Sequence, residues 1–163
     1  MFDFMETMEN RKVSPDDVEP VTWAIIERGR ATPATAHAGR VESIRQTARG
    51  IVQDLWPYDV YITPTLTQRP RPVGYYDMSM TDLDAYNALW ADSVFGFPFN
   101  ASGQPAMSLP LCQFSDGLPL GVQLIGRPGD DAGLLALASV LEQVMPWKDR
   151  QPAATHFGGT DGK

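Results

Sequence analysis

The chain has 163 residues, 43% of them hydrophobic and 20% charged, with a formal net charge of −7. That length suits one domain, able to bury roughly 70% of its unfolded surface, and the balance excludes a disordered chain. The acidic total and the absence of any Lys/Arg block of five or more leave no footprint for nucleic acid or an anionic membrane. Cys112 is the sole cysteine, which excludes an intrachain disulfide and a thiol zinc cluster. His37 and His156 have no i,i+4 partner, so neither a metal nor a cofactor is expected. No run approaches the roughly 18 apolar residues of a membrane span. Met1–Lys12 lacks a basic stretch followed by an apolar one, so a cytoplasmic protein is expected.

Ser14-Pro15, followed by Asp16 and Asp17, predicts a helix start, with Val18, Val21, Ile25 and Ile26 on the inner face and Gly29 as the stop. Thr32-Pro33 opens a second helix whose stripe is Val41, Ile44, Ala48, Ile51, Val52 and Leu55, ended by Pro57. Asp59–Thr63 reads as a strand closed by Pro64. Pro64–Met80 is a long irregular segment, of the kind that is functional or mobile. Thr81 caps a helix with Leu83, Tyr86, Leu89, Trp90 and Val94 inward. Phe95–Gln104 reads as a turn, then Ala106–Leu111 and Leu120–Ile125 as a hairpin about Asp116-Gly117. Gly121–Gly126 is almost wholly apolar, which predicts cover on both faces. Asp130 caps a last helix carrying Leu134, Leu137, Ala138, Leu141 and Val144, stopped by Pro146. Residues 1–152 thus form one domain, and 153–163 a flexible tail.

This order gives an α/β or α+β arrangement with a β-hairpin flanked by helices. Three strands are few for such a chain, and a strand apolar on both faces belongs in a larger sheet. A fragment of something larger is the first implication.

Asn100-Ala-Ser-Gly-Gln-Pro-Ala-Met-Ser-Leu-Pro110, then Asp116–Gly126, then Asp130, Asp131, Leu134, Leu135, Ala138 and Glu142 resemble the C-terminal block of the amidase-signature family. Tyr58–Thr65 is similar to the family's strand ending in Thr-Pro-Thr, and Trp147–Pro152 to its closing segment. With the helices from Ser14 to Trp56, the resemblance covers about residues 14–152. Cys112 departs from the pattern, which has glycine there; a side chain needs room or another backbone geometry. The resemblance implies an α/β class, the C-terminal portion of an α/β/α fold with a small mixed sheet, in a family that hydrolyses carboxamides. A serine nucleophile, a second serine on a cis peptide, a lysine and a Gly/Ser-rich oxyanion loop do that chemistry. Those parts belong to the family's N-terminal half. Here the only lysines are Lys12, Lys148 and Lys163, none in an apolar setting, and no Gly-Gly-Ser-Ser-Gly-Gly-like run occurs. No catalytic residue is therefore assigned.

The substrate-pocket candidates are Thr65, Tyr75, Phe97, Asn100 and Ser102. Asn100 and Ser102 offer hydrogen bonds to a substrate or serve turn chemistry. Tyr75, Tyr76, Phe97 and Phe99 line a pocket or pack against a missing half. Ser108 is expected to point into a hydrogen-bonded interior. Cys112 is a small buried strand residue or, with His37 or His156, a nucleophile. The expected partner is the missing N-terminal amidase half, or a second copy, with a small amide substrate only in the complete enzyme. The alternative is a non-catalytic interaction module or homo-oligomer of amidase descent.

Overall fold

The computed structural model describes residues 6–8 and 10–150. The tail expected over 153–163 and His156 lie outside the described residues. Ser14 and Pro15 do start a turn, but a 3₁₀ turn of only Pro15–Asp17, closed by a capping box between Ser14 and Asp17. Pro20 restarts the chain as helix α1, Pro20–Arg30. The restart rotates the expected inner face: Val21 and Ile26 are buried, and Ile25 is 51% exposed. Pro33 in extended conformation precedes α2, Ala34–Leu55. Its apolar stripe is present in sequence, yet none of its residues is buried.

Strand β1 is Val60–Pro64. After the irregular segment, Asp82 rather than Thr81 caps α3, Leu83–Leu89, because its carboxylate accepts from the Asp84 and Ala85 amides at 3.0 and 3.1 Å. Only Tyr86 of the expected inner face is buried there. The helix tightens into a 3₁₀ turn at Trp90–Ser93, which turns Val94 out to 44% exposure. The segment expected to be a turn holds a short helix, α4, Phe97–Ser102. Pro98 fits its first turn, and Gly103 ends it at φ 70°, a conformation that favours glycine.

Strands β2, Ala106–Gln113, and β3, Pro119–Gly126, form the expected hairpin, with Gly117 at φ 86° in its turn. The sheet order is β1-β3-β2. Both pairings are antiparallel, so the mixed sheet expected from sequence is corrected for the described residues. The short hairpin loop forces β2 and β3 antiparallel. β1 enters on the far side of β3, and so never neighbours β2, whose direction it shares. A bulge between Leu109 and Cys112 interrupts β2 at Pro110, which has no N–H. Arg150 covers that stretch by donating to the Pro110 and Leu111 carbonyls at 3.3 and 3.4 Å.

Alternation along the strands defines two sheet faces. Val122, Leu124 and Gly126 face helix α5, Asp131–Val144, whose Leu134 sits against Gly126. Thr63, Gln123 and Ser108, partners across the three strands, share the opposite face with Tyr61 and Ile125. That face is covered by α4, through the Tyr61–Phe99 ring contact, and by the C-terminal end of α2. The layers are therefore helix, sheet, helix. The buried apolar side chains among the described residues are Val21, Ile26, Tyr86, Phe99, Leu124, Ile125 and Leu134. From Gln123 to Gly126 the third strand is buried, as its apolar run implies. Helix α5 is largely apolar, and Leu135, Val140 and Val144 away from the sheet are 65%, 55% and 67% exposed. A helix of that pattern ordinarily has neighbours on both sides.

Candidate functional site

A cleft of about 310 Å³ opens between α4 and the sheet, lined by Gly96, Phe99, Asn100, Gln104, Ala106, Met107, Ser108 and Gln123. Its sheet side carries Gln123 and Ser108, which with Thr63 form a polar row across the three strands. Gln123 is 8% exposed, and its Nε2 donates to Thr63 Oγ1 at 3.2 Å and to the Phe95 carbonyl at 2.9 Å. A carbonyl can only accept, so the amide orientation is fixed and Oε1 is the free end. No donor among the described residues reaches Oε1, and no buried polar side-chain atom lacks a partner. The oxygen is therefore not fully enclosed, on a residue that lines the cleft. Beside it, Thr65 Oγ1 and Ser108 Oγ meet at 2.6 Å. They meet over Gly121, where a Cβ would lie 2.6 Å from Thr65 Oγ1 and 2.8 Å from Ser108 Oγ. Glycine at 121 is what lets the two hydroxyls approach.

The walls are held by hydrogen bonds. Gln104, 8% exposed, donates to the Gly126 carbonyl at 2.9 Å and accepts from Ser102 Oγ at 3.1 Å. Asp92, 3% exposed, accepts from Arg71 Nε at 2.6 Å and from a terminal guanidinium nitrogen at 3.1 Å. Its hydrogen bonds hold the already high pKa of Arg71 higher still. The Asp92 backbone carbonyl also accepts from the Thr67 amide at 2.9 Å, so this residue pins the irregular segment after β1 at two points. Arg69 bridges to Asp116 and lies over the Phe114 ring, fastening the same segment to the hairpin tip.

The structure brings only some of the expected pocket residues together. Asn100 is exposed and lines the cleft, and Thr65 adjoins it through Ser108. Ser102 turns the other way, toward Arg45, Ala48, Arg49, Val52 and Gln53. Tyr75 lies under the Arg71 guanidinium and edge-on to Tyr76, which stacks on Trp90. Phe97 is 53% exposed and lines none of this cleft. Ser108 is exposed rather than interior, because Gly121 offers it no wall. Cys112 is exposed too, since it follows the bulge where β2 leaves regular pairing, and its side chain has room. Sequence reasoning missed Gln123, although it is the one polar residue between Leu120 and Ile125.

A larger opening of about 660 Å³ lies between α1, α2 and α3, lined by Ile25, Arg28, His37, Arg40 and Leu83 among others. It contains none of the expected pocket residues, and one of its cations, Arg28, is paired with Asp84 at 3.3 Å. The convergent polar groups of the smaller cleft make it the candidate site. Among the described residues, no three His, Cys, Asp or Glu side chains gather as a metal would need, and no helix is long and apolar enough to cross a membrane.

The described residues thus form a small α/β unit, an antiparallel sheet between helices with a polar cleft along one face. The Amidase family model matches residues 3–135, and the chain belongs to that family. It is 37% identical over 150 residues to the 6-aminohexanoate-cyclic-dimer hydrolase of Pseudomonas sp. strain NK87, covering 87% of this chain and 30% of that protein. It is 33% identical over 110 residues to the acylamidase of Rhodococcus erythropolis, covering 64% of this chain and 23% of that one. A solved structure of 6-aminohexanoate cyclic dimer hydrolase superposes with a TM-score of 0.79 at 31% identity, over 90% of this chain and 32% of the other. The chain thus spans about 30% of the length of these hydrolases.

Proposed function

We propose that this chain is the C-terminal fragment or subunit of an amidase, completing the sheet and the substrate pocket while lacking the catalytic residues. The serine, cis-serine and lysine of the hydrolysis come from the portion that its relatives have and this chain lacks. The observation that carries the reading is the uncovered apolar surface. Ile44 on helix α2 is 54% exposed, Leu135, Val140 and Val144 of α5 are 65%, 55% and 67% exposed, and Ile62 on β1 is 62% exposed. Beside Ile62, an apolar groove of about 490 Å³ runs past Pro64, Leu66, Phe114, Leu120 and Val122. Surfaces of this kind mark an interface, and a chain spanning 30% of a hydrolase's length has 70% of that protein to cover them. The three lysines, none in an apolar run, agree with a catalytic lysine supplied from elsewhere.

Co-expression with the part of the Pseudomonas hydrolase outside the matched 150 residues tests the reading. A one-to-one complex in sedimentation is expected. A stable homo-oligomer of this chain that ignores the added portion would overturn it in favour of an interaction module of amidase descent.

A further inference from the structure

We propose that Gln123 and the Thr65–Ser108 hydroxyl pair form a shelf that binds a primary carboxamide. Gln123 Oε1 accepts the amide N–H, and the hydroxyl of the pair that is not engaged with its neighbour donates to the amide carbonyl. The inference deepens the amidase reading and rests on it. Gln123 is more than nine-tenths buried, with both Nε2 hydrogens committed to Thr63 and Phe95, so Oε1 is held as an acceptor on the sheet side of the cleft. Ser108 is directly opposite Gln123 in the sheet, a placement that sets their Cβ atoms roughly 4.5–5.5 Å apart. In the 2.6 Å Thr65–Ser108 pair one hydroxyl donates to the other, which leaves one O–H over. Acceptor and donor stand side by side on one face, and the missing side chain at Gly121 is what admits the two hydroxyls there.

A primary carboxamide presents a syn N–H and its C=O along one edge and can meet both groups at once. A trans N-alkyl amide points its N–H and C=O in opposite directions, and an ester has no N–H. The same edge is carried by a small amide and by an Asn or Gln side chain of the complementary polypeptide. The proposal commits to the small amide.

The test is a titration of the ¹⁵N-labelled full chain, alone and in the co-expressed complex, following the Gln123 side-chain NH₂ resonances. The probes are butyramide, N-methylbutyramide and methyl butyrate. Butyramide is expected to move the Gln123 signals saturably, N-methylbutyramide to bind more weakly, and methyl butyrate to leave them in place. Ser108→Ala and Thr65→Val change one hydroxyl at a time and spare the buried amide. Either single variant leaves one O–H for the amide carbonyl, whereas the double variant removes the donor and should weaken butyramide binding roughly fivefold, as loss of one hydrogen bond implies. Equal shifts with all three probes, or none with butyramide, would overturn the shelf. So would a Gln123 signal that moves on complex formation and no longer responds to butyramide, since a polypeptide side chain then fills the place. If the complex forms and hydrolyses amides while Gln123 ignores butyramide, the amidase reading stands and the shelf falls. If butyramide moves Gln123 but no complex forms, the amidase reading fails alone.

Discussion

Gly126→Ala, combined with Leu134→Ala, tests how α5 is seated on the sheet. An added Cβ at Gly126 lies 3.1 Å from Leu134 Cγ and 3.4 Å from Leu134 Cδ1 and Pro105 Cγ. Carbon pairs rest at roughly 3.5–4.0 Å, so Leu134 has to yield. Overpacking of this kind costs about 1–3 kcal/mol, and the lower unfolded-state entropy of alanine offsets roughly 0.4–1 kcal/mol of it. A net loss of about 1 kcal/mol follows for the single variant. Leu134 is 2% exposed, and a Leu→Ala change in a core costs roughly 2–5 kcal/mol. The low end applies because α5 is uncovered outside and can settle inward. The two single losses sum to about 3 kcal/mol, but in the double variant the clash is gone and the new methyl fills part of the void. That loss should therefore be about 2 kcal/mol, a coupling of about 1 kcal/mol. Urea denaturation followed by circular dichroism reads all four proteins. With a slope of about 1.5 kcal/mol/M, Gly126→Ala alone lowers the midpoint by about 0.7 M. Additivity within about 0.3 kcal/mol would refute the packing described for this face.

Three further outcomes follow from local geometry. Asp17 is held down to a pKa of about 2, first by the Arg11 guanidinium and then by the Ser14 amide and hydroxyl. Its folded value lies below the ordinary 3.8, so the turn's support is complete above that pH and is lost as pH falls toward 2. The Ser14 amide resonance should move over that window and stay still in Asp17→Asn; a still resonance in the unaltered chain contradicts the capping box. Cys112 is exposed, so an aromatic disulfide reagent should modify one thiol per chain without denaturant, and a need for denaturant would show it enclosed. Gly121→Ala should part the Thr65 and Ser108 hydroxyls and shift the resonances of both residues while leaving α5 unmoved. A spectrum changed along α5 instead would mean that the sheet, not the hydroxyl pair, absorbs the methyl.

Local chemistry was the legible part of this fold. Asp130 as a cap, Asp116-Gly117 as a hairpin turn and the Pro146 stop depend on neighbours within four residues, and each stands where the sequence puts it. The short helix at Phe97–Ser102 was hidden because Gly, Pro and Phe dominate its composition, although Pro98 early and Gly103 after it are helix-end chemistry. Burial was legible only in part. The stripe on α2 is a sound amphipathic pattern, but a pattern states which face seeks cover, not whether the cover is in the same chain. Of the expected pocket residues, Asn100 reaches the cleft from the middle of α4, and Thr65, just past the end of β1, adjoins it through Ser108. Tyr75 does not, because Arg71 and Tyr76 hold it elsewhere, and the ion pair to Asp92 that sets this spans 21 residues. Gln123 was visible as a lone amide in an apolar strand, a signal that called for a hydrogen-bonding role.

The most direct measurement of the central claim is amide hydrolysis by the chain alone and by the chain co-expressed with the complementary portion of the Pseudomonas hydrolase, on the 6-aminohexanoate cyclic dimer and on butyramide. The account predicts no turnover above background by the chain alone, and turnover by the complex that disappears when either component is withheld. Hydrolysis by the isolated chain would contradict it, for the catalytic groups would then lie among these 163 residues.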